Sequence, residues 1–187
     1  MLSAMTVEIS PGAALIIIDV QKAFEDPELG RRDNPDAEAN IGALVSAWRQ
    51  AGRPIVRVAQ TEDDGNFASG TAGHAFKPVV ASLDPSLDVA KEVHSAFRGT
   101  PDLNEWLRAN GVEQIAICGI QTNRCCESTA RDGADLGYDV LFVPDAMHTF
   151  DKANAEGVTF AAEQLSAATA ATLHDYFATV VTTADLT

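Results

Sequence analysis

The chain has 187 residues, 46% of them hydrophobic, which suits one domain spanning residues 1–187 with a substantial core. Its net charge of −14, from 13 basic and 27 acidic residues, excludes a phosphate backbone as natural partner and favours a cationic ligand. No apolar run approaches the roughly 20 residues of a membrane span, and Met1–Pro11 has neither the basic start nor the apolar centre of a secretory leader, so the cytoplasm is the expected location.

Ala13–Ile18 is an unbroken apolar run, the mark of a strand buried on both faces, and Asp19 emerges at its carboxyl end. From Ala37 to Ala51, Ile41, Leu44, Val45 and Trp48 recur at helical spacing, and Gly52 ends that helix before a strand at Pro54–Ala59. Gln60–Pro85 is rich in Gly, Asp and Ser and too long for a plain connection, so it reads as a lid. Leu87–Val93 reads as a third strand carrying Lys91. Thr100-Pro101-Asp102 reads as a helix start, with a capping residue and a proline in the first turn, leading to Asn110-Gly111. A fourth strand, Ile115–Cys118, follows.

Gly119–Arg124 then turns from that strand into a helix opened by Cys125 and expected to run to Leu136. A thiol at a helix N-terminus meets unsatisfied N–H groups and the positive end of the dipole, which favour thiolate and can hold an oxyanion. Taken alone, Cys125 and Cys126 read equally well as small buried residues. Asp139–Val143 is the fifth strand; Phe160–Phe177 is a helix with Leu165, Ala168, Leu173 and Phe177 inward; Val180-Val181 marks the sixth strand. The rhythm implies an α/β fold, a three-layer α/β/α sandwich around a doubly wound, six-stranded, largely parallel sheet. Asp19, Lys91 and Cys125 would then meet where open α/β sheets bind ligands. Singly, Asp19 also suits a turn and Lys91 a solvated edge strand. Cys118, Cys125 and Cys126 form neither a disulfide framework nor a zinc pattern.

Asp19, then Lys91 with Ser95-Ala96-Phe97 and Gly99-Thr100, then Gly119-Ile120-Gln121-Thr122-Asn123-Arg124-Cys125 with Thr129-Ala130, then Gly137–Val140 and Asp145-Ala146, resemble the isochorismatase-like cysteine hydrolases. The resemblance implies strand order 3-2-1-4-5-6 and a crevice flanked by Asp19 and Cys125. It implies Cys125 as nucleophile, Asp19 as proton shuttle, Lys91 as the group that holds Asp19, and the backbone N–H groups of Gln121 and Cys125 as oxyanion hole, with a cis Ile120-Gln121 peptide. It also implies a homodimer or larger homo-oligomer.

The pocket is expected to be lined by Phe24, Gln60, Glu62, Phe67 and His148, with His148 at the fifth strand's edge either facing the pocket or capping a turn. His94 is expected on the sheet face opposite Lys91. Cys126, about 100° further round the helix, is assigned to packing; family members commonly carry valine there. Nicotinamidases of this family carry an Asp-x-His metal motif after the second strand, whereas Glu62 stands near the first position here with no histidine two residues later, and His74 is alone. No metal and no cofactor are expected, and nicotinamide is disfavoured.

The expected partner is a small-molecule amide. Around Cys125 and His148 the chain is most similar to streptothricin hydrolase-like amidohydrolases, which open a cyclic amide in a polycationic compound. Glu25, Asp26, Glu28, Glu62, Asp63 and Asp64 suit such a substrate. Alternatives are a vinyl-ether hydrolase that does without the cysteine, or a non-catalytic scaffold on the same fold.

Overall fold

A computed structural model describes residues 7–187; residues 1–6, the first part of the stretch read as lacking a leader, lie outside the described residues. Strands β1 (Ala14–Ile18), β2 (Ile55–Gln60), β3 (Leu87–Lys91), β4 (Gln114–Ile120) and β5 (Asp139–His148) are joined by helices α1 (Ala37–Gln50), α2 (Pro78–Ala81), α3 (Leu103–Ala109) and α4 (Glu127–Asp135). A short hairpin, β6 (Lys152–Ala153) and β7 (Thr159–Phe160), precedes α5 (Ala162–Leu173), β8 (Thr179–Val180) and α6 (Thr183–Leu186). The main sheet is parallel throughout in the order β3-β2-β1-β4-β5-β8. With the hairpin set aside, β8 is the sixth strand, and the order is the expected 3-2-1-4-5-6.

The apolar run of β1 lies at the sheet centre because both of its faces are covered. Ala14, Ile16 and Ile18 join the core beneath α3, α4 and α5, which includes Leu103, Leu107, Ala130 and Leu173. Leu15 and Ile17 join the core beneath α1, α2 and α6, with Ile41, Leu44, Trp48, Val80 and Leu186. Alternate residues of one strand thus feed two cores, the pattern of a three-layer sandwich.

Three local expectations change. Asp102, not Thr100, caps α3, its side chain accepting from Glu105 N–H at 2.8 Å, and Pro101 lies before the helix after a cis peptide. On α5 Leu173 is buried as expected, but Thr169 takes the buried place expected of Ala168, which is exposed. The segment after β4 is a π-helical turn, Thr122–Cys126, that leads into α4. Among the described residues no helix is long and apolar enough to cross a membrane.

β5 continues five residues beyond its expected end through a bulge: Ile117 pairs with Phe142, yet Gly119 pairs with Met147. Asn34 Nδ2 donates to the carbonyls of Asp145 (2.8 Å) and Met147 (2.6 Å), and Asn40 Nδ2 donates to that of Asp145 (2.6 Å), satisfying backbone acceptors that the bulge takes out of the ladder.

Candidate active site

Register brings three distant residues to one end of the sheet. Ile18, the last residue of β1, pairs with Gly119 on one side and Val58 on the other, and Lys91 pairs with Gln60. Asp19 therefore stands just beyond the central strand, between Lys91 and the turn carrying Cys125. Its backbone is in the left-handed region, φ 51°, which few non-glycine residues adopt and which marks strained functional positions. Gly119 is required for the close approach: at φ 126°, an added Cβ would collide with the carbonyl of Ile18.

Lys91 Nζ donates to Asp19 Oδ2 and to Gln60 Oε1, both at 2.7 Å, and the Lys91 and Asp19 side chains are fully buried. Gln60, expected only as pocket lining, thus also positions the lysine. Asp19 Oδ1 is buried without a formed hydrogen bond. It is the oxygen left for the Cys125 thiol, whose titration is coupled to this carboxylate. Burial raises the Asp19 pKa above its ordinary 3.8, opposed by the Lys91 ammonium.

Burial also pushes the Cys125 thiol up to about 12; the charge of Asp19 raises it further and that of Lys91 opposes the rise. Burial and the facing Asp19 carboxylate thus favour the protonated thiol and act against the thiolate expected from a helix N-terminus. Cys126 is wholly buried within the core.

The π-helical turn arranges the backbone. Gln121 C=O accepts from Arg124 N–H at 3.1 Å and Cys126 N–H at 3.2 Å, which skips the N–H of Cys125 between them. The Ile120-Gln121 peptide is cis. Thr129 Oγ1 donates to Cys125 C=O at 2.7 Å and accepts from Ala96 N–H at 3.0 Å, tying the cysteine turn to the 3-10 turn Ala96–Arg98. Gln21, which sequence reasoning passed over, is also buried: its Nε2 donates to the Gln60 and His74 carbonyls and its Oε1 accepts from Gln60 N–H. It fastens the segment around His74 to the end of β2. A glutamine two residues past a strand end carries no sequence signal of that role.

Asp19 and Cys125 open on a cleft of about 200 Å³. Phe24, Gln60, Glu62 and Phe67, all expected, line it, with Phe67 edge-on to Phe24 at 5.1 Å between centroids. Glu92, His94 and Arg124 line it as well. His94 is exposed there, and its charge lowers the Asp19 pKa, contrary to the expected opposite face, because β3 ends at Lys91 and strand alternation stops with it.

His148 does not line this cleft. It is buried behind it, with its ring edge-on to Phe150 at 5.4 Å and Nε2 4.0 Å from Glu38 Oε1, and neither ring nitrogen is hydrogen-bonded. Burial, together with the charges of Arg32 and Lys77, pulls its pKa down to about 3, so it is a neutral spacer behind the Phe150–Phe24 stack. Among the described residues no three His, Cys, Asp or Glu side chains gather as metal ligands would.

The Isochorismatase domain model matches residues 13–185. The chain is 36% identical to the uncharacterized isochorismatase family protein YrdC of Bacillus subtilis (strain 168), covering 92% of this chain and 93% of that one. It is 31% identical to streptothricin hydrolase of Streptomyces noursei, covering 85% of this chain and 65% of that one. It is 37% identical to nicotinamidase 3 of Arabidopsis thaliana, covering 75% of each. A crystal structure of an isochorismatase-family protein from Chromobacterium violaceum ATCC 12472 superposes with TM-score 0.91 at 34% identity, covering 99% of this chain and 96% of that one. A cysteine hydrolase from Pseudomonas syringae pv. phaseolicola 1448A gives TM-score 0.87 at 27% identity, covering 99% and 96%. The chain belongs to the isochorismatase family of hydrolases.

Proposed function

We propose that this hydrolase cleaves the C–N bond of a small-molecule amide through a Cys125 thioester. The observation that carries this reading is the buried Lys91–Asp19 pair, whose free oxygen Oδ1 is left for a protonated Cys125 thiol on the cleft floor. Asp19 takes the thiol proton as sulfur attacks the acyl carbon, and the carbonyl oxygen becomes an anion held by the N–H groups of Gln121 and Cys125. As the C–N bond breaks, Asp19 passes that proton to the leaving amine. Water then attacks the thioester, Asp19 takes its proton, and the departing thiolate recovers it, restoring the resting state. Lys91 keeps Asp19 oriented and charged where burial alone would neutralise it.

For substrate, the reading is a cyclic amide of a cationic compound, as in streptothricin. Glu62 and Glu92 line one wall of the reacting cleft, the chain carries a net charge of −14, and a streptothricin hydrolase is among its relatives. The three free cysteines agree with a cytoplasmic setting. Exposed Phe160 and Val158 on the β6–β7 hairpin, with Tyr176, support a homodimer or larger assembly, which light scattering would test.

The test of the reaction is Cys125→Ala with a panel of amides, alongside intact-mass detection of an acyl adduct on the unaltered chain. Lost turnover and a Cys125 adduct support the thioester route. Turnover retained on a vinyl ether without the cysteine would replace it with the ether-hydrolase reading.

A further inference from the structure

A second cleft, also about 200 Å³, adjoins the reacting one and shares Gln121 and Arg124 with it. Asn123, Thr149 and Lys152 line its other side. Arg124 is exposed and its guanidinium has no acceptor among the described residues. That isolation is unusual in this chain. Arg31, Arg32, Arg57, Arg98 and Arg131 are in ion pairs, and Arg53 and Arg108 donate to carbonyls and lie over aromatic rings. Among the described residues Arg49, exposed on α1, is likewise without a side-chain partner.

Asn123 and Lys152, beside Arg124 in this cleft, are left with free donors. Thr149 has one hydroxyl proton, and the 2.6 Å contact to Asn123 Oδ1 takes it in preference to the 3.1 Å contact to Gln121 Oε1. Asn123 Oδ1 is thereby occupied, and its NH₂ group remains to donate. Lys152 is exposed and without an ion-pair partner among the described residues. The cleft's carboxylates are Asp151, held by Arg31 through contacts of 2.7 and 3.0 Å in an ion pair that Arg31 shares with Glu163, and Glu28, exposed on the 3-10 turn Pro27–Leu29.

We propose that Arg124, with Lys152 and Asn123, forms a carboxylate subsite beside the nucleophile, so that the amide cleaved at Cys125 belongs to a molecule bearing a carboxylate on that side of the scissile bond. This rests on the amidohydrolase reading for its chemistry, though not for its binding. A planar guanidinium matches a carboxylate through two parallel hydrogen bonds, which lysine alone does not offer. Together with the acidic wall of Glu62 and Glu92, the two clefts fit an ampholytic amide, cationic at one end and anionic at the other.

The probes are succinamate and butanamide, matched amides with and without the carboxylate. Binding is measured by calorimetry on Cys125→Ala, and kcat/KM on the chain with its cysteine. Succinamate is expected to bind Cys125→Ala, and Arg124→Met in that background to weaken it by about tenfold, the scale of one charged hydrogen-bonded contact. Lys152→Met, on an exposed hairpin strand, is expected to weaken it by a smaller factor, and Glu28→Gln to tighten it. In the active chain the succinamate-to-butanamide ratio of kcat/KM should fall in Arg124→Met. Binding with neither amide turned over would end the amidohydrolase reading and leave the subsite standing. Absence of succinamate binding, or binding indifferent to Arg124→Met, would overturn the subsite.

Discussion

Lys91 Nζ lies 2.7 Å from Asp19 Oδ2 with both side chains wholly enclosed, so each charge depends on the other for its place in the interior. Removing one partner leaves an uncompensated buried charge, whereas removing both need not. Lys91→Met is therefore expected to destabilise the fold by about 3–5 kcal/mol, and Lys91→Met with Asp19→Asn to recover most of that loss. The sign with pH is fixed. Asp19 has a raised folded pKa, so the folded state holds its proton more tightly than the unfolded chain, and stability falls as pH rises through the folded value. Lys91→Met raises that value further and should lose more stability toward neutral pH than under acid. Denaturant unfolding at several pH values checks both.

The same pair sets the acid limb of turnover. Asp19 serves as base only when ionised, and burial lifts its pKa above 3.8, so kcat/KM for an amide should rise with pH along a limb centred above 3.8. Lys91→Met should move the limb higher still. A limb unmoved by Lys91→Met in a pH–rate profile would separate it from Asp19.

Much of this site can be read from the chain because parallel strands buried on both faces announce themselves as apolar runs, and whatever follows them stands at the ligand-binding edge. Asp19 and Cys125 are of that kind, whereas Lys91 ends β3, an edge strand of alternating exposure, and is placed by its pairing with Gln60. The histidines are not of that kind. His148 lies beyond a bulge where Gly119 pairs with Met147, inside a strand five residues longer than its apolar run, so its place past the apparent strand end does not give its environment. His94 lies past the end of β3, where alternation no longer applies. The resting protonation of Cys125 depends on enclosure by residues far away in sequence, and the local signal, a helix start, points the other way.

Gly119→Ala should be disproportionately damaging for so small a change. The substituent would meet the Ile18 carbonyl on the central strand, and φ 126° disfavours any side chain. A loss of more than about 1 kcal/mol is expected, with turnover falling because the collision lies between Asp19 and the cysteine turn. Calorimetric unfolding alongside amide turnover measures the two effects.

Glu38 accepts from Arg32 at 2.6 Å and from Lys77 at 2.8 Å, holding the otherwise buried Lys77 beside His148. Burial raises the Glu38 pKa, but the hydrogen bonds and charge of Arg32 and Lys77 prevail and hold it well below the ordinary 4.5. Its stabilisation is present above 4.5 and lost as pH falls through the depressed folded value. Glu38→Gln should therefore cost about 1–3 kcal/mol near neutrality, and less in acid. Urea unfolding at neutral and acid pH tests the difference.

The most direct test compares two rates at Cys125 after Asp19→Asn, in a Cys126→Ser background. Asp19 raises the thiol pKa while serving as its base, so the two functions respond oppositely to its removal. Iodoacetamide alkylation of Cys125 at a fixed pH near 8 should become faster, because more thiolate is present. Amide hydrolysis should fall by about 10²–10⁴-fold, the scale of a lost general base. Hydrolysis surviving the substitution would contradict Asp19 as the group that takes the cysteine's proton, and alkylation slowing instead of quickening would contradict its charge as what holds the thiol protonated.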